Sequence, residues 1–109
     1  MASSKEYLQY VLDQLSLIDG ISHRAMMGEY IIYINGKVAG GIFDDRFLIK
    51  PTPSAKRLIP NAVYEIPYEG AKQMILVDDI DDREFLKELI ESMQDELPEP
   101  VKRKGKRRS

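Results

Sequence analysis

The sequence has no cysteine, no tryptophan and a single histidine in 109 residues. Without cysteine there is no disulfide, no thiol nucleophile and no thiolate metal site. A lone histidine leaves little for nucleophilic catalysis, which needs a base held between a nucleophile and a third, orienting group. Neither G-x-x-x-x-G-K-[ST] nor G-x-G-x-x-G occurs, so the glycines do not form a phosphate cradle at a helix N-terminus. No apolar run approaches the roughly 20 residues that span a bilayer. The opening stretch MASSKEYLQYVLDQL breaks its apolar residues with polar ones throughout, unlike a signal peptide. These exclusions read as a soluble cytoplasmic chain with no cofactor, no metal and no membrane partner. Hydrophobic residues make up 43% and charged residues 31%, an ordinary balance for one small domain.

The net charge of −2 conceals a division. All 18 acidic residues precede Pro100, while Lys102, Arg103, Lys104, Lys106, Arg107 and Arg108 crowd the last nine positions. The body keeps ten basic residues against 18 acidic ones and repels nucleic acid. The tail is the part that attracts it, weakly and without sequence preference. The expected organisation is one domain over residues 1–98 and a disordered basic tail over 99–109.

Periodicity outlines the domain. Ser3 and Glu6 are spaced as a capping box, and Leu8, Val11, Leu12, Leu15 and Ile18 share one helical face until Asp19-Gly20. A strand is expected over about Ser22 to Met27. Asn35-Gly36 is a strong hairpin signal and Asp44-Asp45 a weaker one. Two-residue loops at both would pair Tyr33 with Val38, Ile31 with Gly40 and Ile42 with Phe47, and Ile49 continues that side. This apolar side is expected to cover the helices. Tyr30, Ile32, Ile34, Ala39, Gly41, Phe43 and Leu48, with Lys37, Arg46 and Lys50 among them, form a mixed second face. Thr52 caps a short helix with Pro53 at its first position. The segments VYEIPY and KQMILVDD read as extended, with Pro67 keeping the first out of a central position. Asp81 and Glu84 open a final helix whose buried stripe is Phe85, Leu86, Leu89, Ile90, Met93 and Leu97. The fold class is α+β: an antiparallel meander with terminal helices and a short middle helix on one face.

Candidate functional residues follow from this layout. His23 reads as a packing or surface residue. The acidic run Asp78 to Asp82 lacks the spacing of a calcium loop and suits a helix N-terminus. The mixed face needs a cover, and apolar surface of that kind marks association with a protein partner or a second copy. Met27, Tyr30, Ile32 and Lys50 on or beside it, with Gly70, Lys72 and Met74 from the EGAKQM junction, form the expected partner-binding set. Arg24, Lys50 and Lys72 form an alternative set that would gather a small anion.

The stretch RAMMGEYIIYING, followed by FDDRFLIK and GAKQM, resembles the N-terminal domain of the TfoX/Sxy family. Members show an arginine, Met-Phe-Gly-Gly, a tyrosine-bearing strand, an aspartate- or asparagine-glycine turn, and a strand ending in lysine. Arg24, Met26, Gly28, Tyr33, Asn35, Gly36, Asp45 and Lys50 fit that pattern, whereas Met27 replaces the phenylalanine and Glu29 the second glycine. The resemblance spans about Lys5 to Leu97. It implies a bacterial α+β domain tied to regulation of natural competence, working as a transcriptional co-activator with the cAMP receptor protein. The family's full-length regulators carry a second, helical domain that this sequence does not show, so a stand-alone, non-enzymatic module acting through protein contacts is expected. The family supplies no catalytic residues to carry over.

Overall fold

The computed structural model describes residues 3–99. In chain order these form α1 (Lys5–Gln14), β1 (Ile21–Met26), β2 (Glu29–Ile34), β3 (Lys37–Phe43), β4 (Arg46–Ile49), α2 (Pro53–Leu58), β5 (Tyr64–Glu65), β6 (Met74–Leu76) and α3 (Arg83–Gln94). One antiparallel six-stranded sheet runs β1-β2-β3-β4-β6-β5. The first four strands are the expected meander. β6 then inserts beside β4 and leaves β5 at the edge, where two residues and nearby Pro67 are tolerated. The opposite edge is β1, whose exposed His23 and Arg24 discourage edge-to-edge association.

The three helices share one core with one side of the sheet. Leu8, Val11 and Leu15 from the α1 region and Leu86, Leu89, Ile90 and Met93 from α3 meet Ile32, Ile42, Phe47, Ile49 and Ile75. The stripe on α3 is as expected, with Phe85 half-buried at its margin. Both long helices, however, start one residue later than their spacing suggested. The Ser4 hydroxyl accepts from Tyr7 N–H at 3.1 Å, and Asp82 Oδ1 accepts from Phe85 N–H at 3.0 Å. Ser3 is displaced because its side chain serves tertiary structure: Oγ donates to Glu29 Oε1 (2.7 Å) and accepts from Asp45 N–H (3.0 Å). Ser4 N–H in turn donates to Asp45 Oδ1 (2.9 Å), so the start of the chain is latched to the β3–β4 turn. The cap of α2 lies where expected, with Thr52 Oγ1 accepting from Ala55 N–H and Pro53 in the first turn. Helix α1 ends at Gln14, five residues before Asp19-Gly20. Gly20 (φ +85°) instead lets the chain press against Asn35, whose N–H donates to the Gly20 carbonyl at 2.9 Å.

The β2–β3 and β3–β4 hairpins turn on two residues with positive φ, Asn35 (+50°) with Gly36 (+82°) and Asp44 (+53°) with Asp45 (+55°), and so does β1–β2, at Met27 (+54°) and Gly28 (+86°). The register between them departs from the simple ladder. Tyr33 pairs with Val38, but Ile32 pairs with Gly40 and Ile31 with Gly41, so Ala39 is a bulge. One extra residue reverses the facing of everything on one side of it. The assignment of β2 is therefore corrected: Ile32 and Ile34, 0% and 1% exposed, face the helices together with half-buried Tyr30. Ile31 and Tyr33 face away. Ile42, Phe47 and Ile49 keep the inward side expected for them. Gly40 fits the resulting close approach, because a Cβ there would lie 2.1 Å from the Leu48 carbonyl oxygen.

Candidate functional site

The outward face of the sheet is partly roofed. The segment between β5 and β6, residues 66–73, folds back across it. Pro67 is buried and the Tyr68 ring lies 6.2 Å from that of Phe43. An ion pair between Arg46 on β4 and Glu65 on β5 spans β6 and fixes the start of this segment. Gly70 (φ +88°), with nothing near its missing side chain, makes the turn that returns the chain toward β6. Phe43 and Leu48 are buried on the outward side in consequence.

The roof does not reach the whole face. Between it and the strands lies a groove of about 300 Å³, floored by Ile31, Val38 and Phe43 and walled by Tyr68 and Met74. Lys50 at the end of β4 and Lys72 after the Gly70 turn are the charged side chains that line it. Backbone bonds hold Lys50 in place: its N–H donates to Ala39 and its carbonyl accepts from Thr52 N–H, both at 2.9 Å. A second hollow of about 340 Å³ adjoins the groove, sharing Val38 and Lys50, and adds Arg24, Tyr33 and Glu99. Among the described residues no carboxylate pairs with Arg24, Lys50 or Lys72. The carboxylates in ion pairs there engage Lys37, Arg46 and Lys87. A larger hollow of about 670 Å³ along α3 is open and shallow, lined by Asp82, Glu84, Glu88 and Glu91 with Lys87, which pairs with Glu91.

The proposed anion set, Arg24, Lys50 and Lys72, thus surrounds two adjoining hollows with Lys50 common to both. The proposed partner set is divided. Lys50, Lys72 and Met74 line the groove, and Gly70 turns the segment above it. Met27 stands apart at the β1–β2 turn, 97% exposed, with φ +54°. Tyr30 and Ile32 point to the helices, so the placement of those two on an open face is corrected, and the bulge at Ala39 is the reason. His23 lies edge-on to Tyr30 at 6.4 Å. The six basic tail residues, Lys102 to Arg108, lie outside the described residues. Sequence reasoning put Phe43 on the outward face but not in the site set, and it missed Tyr68 and a run of exposed apolar side chains at the β5 edge: Val63 and Ile66 at 50%, Tyr64 at 41% and Tyr68 at 60%. Alternation around buried Pro67 marks Ile66 and Tyr68 of that run, whereas adjacent Val63 and Tyr64 are both exposed and follow no alternation.

Two other titrating groups are perturbed for structural reasons. Burial raises Tyr7, with the nearby Asp45 carboxylate adding to the effect. The Ser54 hydroxyl and N–H, which donate to Glu96 at 2.6 and 2.9 Å, hold that carboxyl below its ordinary value. Among the described residues no group of three or more His, Cys, Asp or Glu is arranged to hold a metal ion, and no helix is long and apolar enough to cross a membrane.

Residues 13–94 match the family model of the TfoX N-terminal domain. The chain belongs to that family. An uncharacterised 12.7 kDa protein of Spirochaeta aurantia, described by its position in the trpE 5′ region, is 33% identical over 107 residues, covering 97% of this chain and 93% of the relative. No solved structure matches. The TfoX match includes every residue that lines the groove, from Met26 to Met74. The small relative, aligned over nearly its full length, is of the same size class as this chain.

Proposed function

We propose that this TfoX-type domain is a non-enzymatic regulatory module that acts through protein contacts, in a transcription-related role. The observation that carries the reading is the β5 edge. Val63, Tyr64, Ile66 and Tyr68 expose apolar surface on one short segment next to a strand with an unpaired side. Apolar surface at a sheet edge is a liability unless something covers it, and tyrosines are favoured at protein contacts. Met26, 46% exposed, carries apolar surface on the far edge strand. Family membership supports the regulatory setting. The basic tail adds sequence-independent attraction for nucleic acid and supplies local concentration rather than recognition.

The test places a photo-reactive side chain at Ile66 and, as a control, at Lys87 on the solvent side of α3, followed by cross-linking in native lysate. The expected result is a discrete adduct with a transcription protein from Ile66 and none from Lys87. Identical adduct patterns from the two positions would refute a specific contact at this edge.

A further inference from the structure

We infer that the groove beneath the 66–73 segment is a binding site for a small amphipathic carboxylate: an aromatic or medium-chain apolar body carrying one carboxylate head. This site adjoins the exposed β5 edge and shares Tyr68 with it, but its ligand does not depend on the protein contact proposed there.

Three observations converge on this class of ligand. The first is shape. The groove holds about 300 Å³ under a covering segment, the lower end of the ~300–1,000 Å³ typical of small-molecule sites. That size suits a small ligand with one ring or a short chain. The second is lining. Ile31, Val38, Phe43 and Tyr68 offer aliphatic and aromatic surface to the body of a ligand. The third is charge. Lys50 and Lys72 are the charged groups lining the groove, both are cations, and no carboxylate among the described residues forms an ion pair with either, Glu99 in the adjoining hollow being paired with Lys37. This is notable because the chain as a whole carries more acidic than basic residues. Two ammonium groups beside an apolar hollow complement an anionic head joined to an apolar body.

The head is a carboxylate rather than a phosphate on the donors present. The groove contains no arginine and no helix N-terminus, the fittings that bind phosphate oxygens several at a time. Arg24 lines the adjoining hollow rather than the groove, and two ammonium groups can each take one oxygen of a carboxylate. Lys50 is fixed through its backbone bonds to Ala39 and Thr52 and is half-buried, whereas Lys72 is exposed on the loop. We assign the inner contact with the head to half-buried Lys50 and the outer one to exposed Lys72.

The experiment titrates the full chain with phenylbutyrate, phenylbutanol, phenylbutylamine and phenylpropyl phosphate, which share an apolar body and differ in head. Backbone amide shifts report the location and calorimetry the affinity. The expected result is saturable binding of phenylbutyrate with shifts at Ile31, Val38 and Phe43, and no saturation by the amine. The Lys50→Gln, Lys72→Gln double variant should keep its melting temperature and bind phenylbutyrate about tenfold more weakly or worse, the scale of one lost charge-assisted hydrogen bond. Its affinity for phenylbutanol should not change. Equal binding of the four compounds, tighter binding of the phosphate than of the carboxylate, shifts confined to other surfaces, or an unaltered affinity in the double variant would each overturn the assignment. None of these readouts involves the cross-link at Ile66, so failure here leaves the protein-contact reading to its own test.

Discussion

Deleting Ala39 from the middle of β3 should leave a folded protein with the same core. In an ordinary strand the loss of one residue turns every side chain beyond it to the opposite face. Here the deletion restores an unbroken ladder. Ile32 pairs with Gly40 and Tyr33 with Val38 on either side of the bulge, and those pairs become consecutive once Ala39 is gone. Ile32, Ile34, Ile42, Phe47 and Ile49 all remain inward. The loss is local: one buried methyl, about 0.8 kcal/mol, and the bond from Lys50 N–H to the Ala39 carbonyl, about 0.5–1.5 kcal/mol. Together these come to about 1–2 kcal/mol, or a fall in melting temperature of about 5–15 °C for a domain of this size. The control is deletion of Leu48 from β4. Phe47 and Ile49 flank it, both 0% exposed, and one of them must then leave the core. That change costs about 3–5 kcal/mol for the side chain alone, a large part of the 5–15 kcal/mol that stabilises a small domain. Thermal and urea unfolding followed by circular dichroism measure both variants. An Ala39 deletion that does not fold, or a Leu48 deletion equally well tolerated, would show that the bulge does not reconcile turn and core in the way described.

Gly40→Ala should destabilise by about 1–3 kcal/mol or more, because its Cβ would meet the Leu48 carbonyl oxygen at 2.1 Å and backbone cannot step aside; a urea midpoint equal to that of the native chain would contradict this. Ser3→Ala leaves the Asp45 N–H and the Glu29 carboxylate without their hydroxyl partner, and should lower stability in urea by about 1–3 kcal/mol. Glu96 has a folded pKa below its ordinary 4.5, first because of the Ser54 hydroxyl. Its contribution to stability is thus complete above that ordinary value and is lost as pH falls through the lower folded one. Glu96→Gln should flatten the acid limb of the stability-against-pH curve below 4.5 and leave its slope at neutral pH alone; an unchanged acid limb would remove Glu96 from the account. Fluorescence anisotropy with duplex DNA should show binding by the full chain that falls steeply with salt and vanishes in a chain ending at Pro100; binding that survives the truncation would place a nucleic-acid surface on the acidic body.

Local chemistry made most elements legible and left their faces undetermined. The Asn35-Gly36 turn, the Thr52-Pro53 start of α2 and the apolar stripe of α3 each depend on residues adjacent in sequence, and each lies where its spacing indicated. The caps of α1 and α3 moved by one residue because two cap-competent residues stand side by side in each case. Spacing cannot separate Ser3 from Ser4. What separates them is the carboxylate of Glu29, which engages the Ser3 hydroxyl across 26 residues of sequence.

The inversion of β2 has the same origin. Either alternate set, Ile31 with Tyr33 or Tyr30 with Ile32 and Ile34, is apolar enough to face a core, so pattern alone does not choose. The tight turn fixes Ile34 opposite Lys37, while Phe47 and Ile49 fix the inward side of β4. With Ile31 and Tyr33 inward an unbroken ladder would meet both constraints; with Ile32 and Ile34 inward they disagree by one residue, and small Ala39 next to Gly40-Gly41 is the point in β3 where the chain can take up the difference without a bulky side chain in the way. The choice shaped the groove. With the second isoleucine pair committed to the helices, Ile31 and Val38 are left on the outward face beside Lys50, and Pro67 and Tyr68 fold down onto that face without filling it. The candidate site is therefore the consequence of a parity mismatch within the sheet. Ile31 and Val38 of its floor could be found from sequence only by a reading that already included the bulge, whereas Phe43 needed none.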